Sequence, residues 1–103
     1  MEANPKLTGL LGMARRAGKL SIGFDAATAA VKEGKSPFLL LASDVSPKTE
    51  KECRFAVQSC NAQIQPLPLD KAALAAAIGC HKPVGVAAVC EQGFANAILK
   101  ALT

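Results

Sequence analysis

The sequence predicts an α/β domain, a three-layer α/β/α sandwich around a central, roughly four-stranded mixed sheet. Two continuous apolar runs carry that expectation. "PFLLLA" (37–42) and "VGVAAV" (84–89) are bounded by turn residues, the pattern of strands buried on both faces. Segments with apolar residues at helical spacing alternate with the strand-like runs, which places helices on each side of the sheet. With 103 residues, one domain over 1–103 is expected, with core enough for two or three layers and not for a second domain.

Each element has a local reason. Asn4 and Pro5 read as N-cap and first-turn residue of a helix that turns Leu7, Leu10, Leu11, Ala14 and Ala17 inward and stops at Gly18. Residues 19–22 form a short link or edge strand. A second helix opens after Gly23, buries Ala27, Ala30 and Val31, and closes at Gly34. Ser46 and Pro47 start a third helix, whose stripe is Cys53, Ala56, Val57 and Cys60. Residues 63–65 read as a strand, and the prolines of "QPLPL" confine it to an edge. Asp70 caps a fourth helix, "KAALAAAI", closed by Gly79. The last helix, "QGFANAILKAL", is expected to present Phe94, Ile98, Leu99 and Leu102 to the core. Ligands of such sandwiches gather at the end of the sheet where helix N-termini meet.

Composition narrows the function. Twelve Lys and Arg against eight Asp and Glu leave a formal charge of +4, which favours a polyanionic partner. The N-terminal stretch lacks a basic segment ahead of a long apolar run, and runs such as "FLLLA" are far short of the roughly 20 residues a span needs. A cytoplasmic protein without membrane contacts is expected. Cys53, Cys60, Cys80 and Cys90 contain no C-x-x-C pair and no zinc-type spacing with His81. Cys53 and Cys60 stand two helical turns apart, about 10 Å, too far for a disulfide. All four read as small buried side chains in a reducing compartment, with no metal and no cofactor.

Catalytic signals are thin. His81 is the single histidine, Ser43 and Asp44 have no base beside them in sequence, and no carboxylates form an acid/base pair. "GMARRAGKL" imitates a phosphate loop, but Gly12 and Gly18 are one residue too far apart and Leu20 stands where Ser or Thr is needed. The basic residues say more. Arg15, Arg16 and Lys19 cluster just before the glycine-opened helix, and Lys32 and Lys35 flank Gly34. Lys48, Lys51 and Arg54, interleaved with Glu50 and Glu52, read as a solvated face. Phe24 is the one aromatic beside this region, so single-strand binding by stacking is not favoured.

"LLGMARRAGKLSIGFDAATAAVKEGKSPFLLLASDVSPKT" followed by "AIGCHKPVGVAAVCEQGFANAIL" resembles the kink-turn-binding ribosomal protein superfamily, the L-seven-Ae family, and within it the bacterial YlxQ-like branch. The resemblance implies a sandwich that binds structured RNA, including ribosomal RNA, without catalysis, in contact with ribosome or translation factors. It implies that the G-x-N-E-like signature reading tandem G·A pairs falls on Gly23, Phe24, Asp25 and Ala26. Later basic family positions fall on Ala29 and Glu33, and a loop covering an extruded base falls on 79–84. Here Asp25 replaces an Asn and can accept but not donate, while Ala26 replaces a Glu and offers no side-chain hydrogen bond. The expected RNA-binding set is Arg15, Arg16, Lys19, Gly23, Phe24, Asp25, Lys32, Lys35 and Lys82. The alternative is a protein-interaction adapter on the same fold, using Phe24 beside Ala26 and Ala29.

Overall fold

Leu39 and Leu40 are neighbours in sequence, both fully buried, and belong to different cores. That alternation organises the molecule. The computed structural model describes residues 5–60 and 62–102, so the expected N-cap, Asn4, lies outside the described residues. In chain order the elements are α1 (Pro5–Arg16), β1 (Leu20–Ile22), α2 (Phe24–Lys32), β2 (Phe38–Leu41) and α3 (Pro47–Gln58). They continue with β3 (Gln63–Pro66), α4 (Lys71–Ile78), β4 (Val86–Val89) and α5 (Gln92–Ala101).

The sheet order is β1-β4-β2-β3. β4 pairs antiparallel with both β1 and β2, and β3 runs parallel to β2, so the sheet is mixed, as expected. The period of two along each central strand divides its apolar residues between two layers. Phe38 and Leu40 of β2 and Ala87 and Val89 of β4 face α1, α4 and α5, meeting Leu7, Leu11, Leu74, Ile78 and Ile98. Leu39, Leu41, Val86 and Ala88 face α2 and α3, meeting Ala27, Ala30, Val31 and Cys53. The layers therefore hold three helices on one side and two on the other.

Several boundaries differ from expectation for identifiable reasons. The strand expected over 84–89 begins at Val86, because the Val84 amide turns aside to donate to the Lys71 carbonyl at 3.2 Å while its side chain stays buried. The strand expected over 37–42 is limited to 38–41, and that expected over 63–65 extends to Pro66. Ala17 is exposed because α1 ends at Arg16. The Gly18 amide then donates to Arg15 and the Lys19 amide to Ala14, closing the helix on its own carbonyls. In α5 the inward stripe runs through Ala95 and Ile98, both fully buried, and Leu99 is 38% exposed. One residue of helix rotates about 100°, which carries Leu99 off the stripe that holds Ile98.

The four cysteines are free thiols. Cys53 is buried, whereas Cys60, Cys80 and Cys90 are only partly so, a correction to the expectation that all four are buried. Burial pushes the Cys53 thiol up from its ordinary value of 9.0, with Glu52 and Glu50 adding to the shift. Its contribution to stability is therefore complete below 9.0 and is lost as the pH climbs toward the raised folded value. Among the described residues no helix is long and apolar enough to cross a membrane.

The α5 assignment has a direct check. Ile98→Ala should cost about 2–5 kcal/mol, as for a fully buried aliphatic side chain. Leu99→Ala should cost less than about 1 kcal/mol. Urea unfolding of both variants measures this, and equal losses would mean that α5 packs on another face.

Candidate nucleic-acid interface

Three strands finish at the same end of the sheet. Leu41 is in register with Val86 on one side and Pro66 on the other, and Ile22 lies one pair away from Val86, opposite Ala87. The chain leaves these ends to start α2, α3 and α4, so three helix N-termini converge there. Each carries the unpaired amides and partial positive charge of a helix start.

Two of the three are closed by side chains. Ser46 Oγ accepts from the Thr49 amide at 3.1 Å at the start of α3. At α4, Asp70 Oδ1 accepts from the Ala73 amide at 2.7 Å and Asp44 Oδ1 accepts from the Lys71 amide at 2.8 Å. The α2 start is different. Its N-cap is Gly23, which has no side chain to offer.

Gly23 is held by its backbone, its amide donating to the Val86 carbonyl at 2.8 Å and its carbonyl accepting from Ala27 at 2.9 Å. Its φ of 97° and ψ of 159° belong to a region that is essentially restricted to glycine. A Cβ built there would meet nothing within 4 Å. Conformation therefore demands the glycine, and the space above it is open.

Gly23 is one of the residues lining a cavity of about 450 Å³. Gly23 and Phe24 form one wall, Ser46 and Thr49 another, and Lys71 and Lys82 supply charge. Gly85 lets Lys71 and Val45 approach, since a Cβ there would lie 3.0 Å from Val45 Cγ1 and 3.5 Å from Lys71 Cδ. Lys82 arrives on the 79–84 loop, which doubles back from the end of α4 to the Lys71 carbonyl. Arg15 braces the start of that loop. Its Nη1 donates to the Ile78 carbonyl at 2.6 Å and to Cys80 Sγ at 3.6 Å, so its charge lies at the negative end of α4.

The residues expected from sequence thus divide by position. Gly23, Phe24 and Lys82 line the cavity, and Arg15 touches Cys80 on its wall. Asp25 is exposed in the first turn of α2. Lys32 lies in a second groove, between α2 and α3, that also includes Phe24. Lys35 pairs with Glu33 at 3.1 Å on the surface, an interaction worth little in water. Arg16 and Lys19 are exposed and line neither cavity. Lys19 accepts at its carbonyl from Cys90, at the far end of β4 from the Val86–Gly23 bond.

Lys71 lines the cavity without being among the residues expected from sequence. A signal existed, because a lysine at the first position of a helix opposes the macrodipole and needs a reason to be there. His81 is exposed and lines neither cavity. Among the described residues no group of three His, Cys, Asp or Glu side chains is placed to hold a metal ion.

Residues 5–99 match the Ribosomal protein L7Ae/L30e/S12e/Gadd45 family. The chain belongs to this family. A protein of unknown function from Bacillus halodurans shares 29% identity, with a TM-score of 0.84 over 94% of this chain and 96% of that one. The Giardia lamblia 15.5kD RNA binding protein shares the fold at 19% identity, with a TM-score of 0.77 over 95% of this chain and 82% of that one. Among curated proteins none matches significantly.

The conformational demand for glycine at position 23 can be measured. Gly23→Ala should lose about 1–3 kcal/mol from backbone conformation alone. Gly9→Ala, inside α1 with nothing within 4 Å of the added Cβ, should instead gain about 0.5–1 kcal/mol. Chemical denaturation of the pair tests this, and a neutral Gly23→Ala would contradict the assigned geometry.

Proposed function

We propose that this family member is a non-catalytic RNA-binding protein that holds structured RNA of the kink-turn type at the Gly23 cleft, in a ribosome- or translation-associated role. The observation that carries the reading is the uncapped start of α2 beside Lys71 and Lys82, while the neighbouring starts of α3 and α4 are closed. Open amides and a helix dipole suit a phosphate or an anionic base edge. The flanking lysines hold backbone charge without reading sequence. Ser46 and Thr49 occupy each other, since the Ser46 hydroxyl donates to Thr49 Oγ1 at 3.0 Å. The Giardia lamblia protein of the same fold is described as RNA binding, which supports the proposal at the level of the family's shared architecture.

Salt dependence locates the phosphate contacts. Lys71→Gln with Lys82→Gln should flatten the dependence of log affinity on log salt by about 1.4–1.8, some 0.7–0.9 per lost phosphate contact. Arg16→Gln with Lys19→Gln, at the other end of β1, should change it by less than half as much. The opposite ranking in filter-binding titrations would move the RNA away from the cleft.

Selectivity tests the kink-turn part separately. Asp25 and Ala26 are exposed in the first turn of α2, so Asp25→Asn with Ala26→Glu fits the fold. A glutamate three residues after the N-cap also suits the dipole. Asn supplies a donor, and Glu can accept from a guanine amino group. The kink-turn-to-duplex affinity ratio should rise by about tenfold, on the scale of one base-reading contact. An unchanged ratio would show that Gly23 does not stand at a base-reading site.

A further inference from the structure

Phe55 is 76% exposed, the most exposed large apolar side chain among the described residues. It lies beside Ala56 on α3 but off that helix's buried positions, Cys53 and Ala56. It faces a groove of about 760 Å³ between α2 and α3, whose other aromatic is Phe24. Phe24 has no aromatic residue near it in sequence, and the packing of α3 against α2 places Phe55 in the same groove.

Phe24, Phe55 and Ala56 are the apolar residues of the groove. Thr28 lines it, but its hydroxyl already donates to the Phe24 carbonyl at 2.8 Å. The rim is cationic. Lys32 and Lys51 make no ion pair among the described residues, and Arg54 is held by Glu50 at 2.6 Å. Glu52 is the acidic residue on that rim. Phe24 lines both this groove and the Gly23 cleft, so the two adjoin at that residue.

We infer that the Phe24–Phe55 groove receives an unpaired nucleobase from an RNA strand that continues out of the Gly23 cleft. The base stacks on Phe55, and the flanking phosphates meet Lys32 and Lys51. This rests on the RNA-binding reading of the cleft and extends it to single-stranded nucleotides beside the structured element. Stacking on an aromatic ring is sequence-tolerant, so the groove accepts any base without discriminating among them. Cations beside two aromatic residues in one groove match a nucleotide's combination of flat apolar ring and anionic backbone. They do not match an acid-poor apolar peptide.

The test compares one kink-turn RNA with versions carrying a short unpaired tail on either strand, 2-aminopurine in the tail reporting stacking. Wild type should bind one tailed RNA roughly tenfold more tightly than the untailed RNA, with the tail's fluorescence quenched. Phe55→Leu should abolish that gain and the quenching while leaving untailed affinity unchanged, and Phe55→Trp should retain both. Because Phe55 is mostly exposed, neither change threatens the fold. A tail that adds nothing, or a Phe55→Leu loss equal on both RNAs, overturns the inference and leaves the cleft reading standing. Wild type that binds none of these RNAs overturns the cleft reading, and this inference with it. A concentration-dependent dimer in sedimentation that Phe55→Leu disperses would assign the groove to a second copy of the chain and overturn the nucleobase site.

Discussion

The antiparallel pairing of β2 with β4 is the constraint on which the rest of the molecule depends. Leu39–Leu41 and Val86–Ala88 are locked in register, and both strands are buried along their whole length. A slip by one residue would exchange the contents of the two cores. Leu40 would then face α2 and α3, and Leu39 would face α1, α4 and α5. The layers are not interchangeable. One is built on Leu7, Leu11, Leu74 and Ile98, and the other largely on alanines of α2 with Val31 and Cys53. The small side chains of α2 let it lie close to β4, bringing Gly23 within hydrogen-bonding distance of Val86.

That register also sets the polarity of everything at the sheet's ends. Because β1 and β2 both run opposite to β4, and β3 runs with β2, the chain exits β1, β2 and β3 on one side. The starts of α2, α3 and α4 are brought together as a topological consequence. A site there needs no special loop. It needs one of the three N-termini to be left uncovered, and Gly23 does this at α2.

The fold was largely legible in the sequence because its signals are local and consistent. The apolar runs at β2 and β4, the caps at Ser46 and Asp70, and glycines at 18, 34 and 79 each mark an element or its end without reference to distant residues. Errors fell where tertiary contacts decide. Val84 is apolar and buried yet leaves the strand to bind Lys71, and Leu99 is apolar yet lies off the α5 stripe. The site was less legible. Gly23 could be picked out as an unusual helix start, but its φ of 97° follows from the β4 contact. Lys71 and Phe55 lie far from Gly23 in sequence and join its surface only through helix packing. Arg15 and Lys19, close together in sequence, are placed differently, because the turn at Gly18 sends Arg15 toward Ile78 and Lys19 toward Cys90.

Lys71 shows how the cleft sustains positive charge where helix dipoles oppose it. A cation in the first turn of α4 is unfavourable by a few tenths of a kcal/mol or more. Asp44 and Asp70 offset this, each accepting an amide hydrogen from the same turn. Their oxygens are engaged with backbone, so the acids stabilise the start of α4 while the lysine side chain borders the cavity. At α2 the arrangement is reversed, with no capping side chain and with Asp25 as the first-turn acid. The cleft thus sets a closed helix start bearing a lysine against an open helix start bearing an acid. On the RNA-binding reading proposed above, this juxtaposition favours an anion at the uncapped amides of α2 and at Lys71 and Lys82, and the charge of Asp25 opposes it.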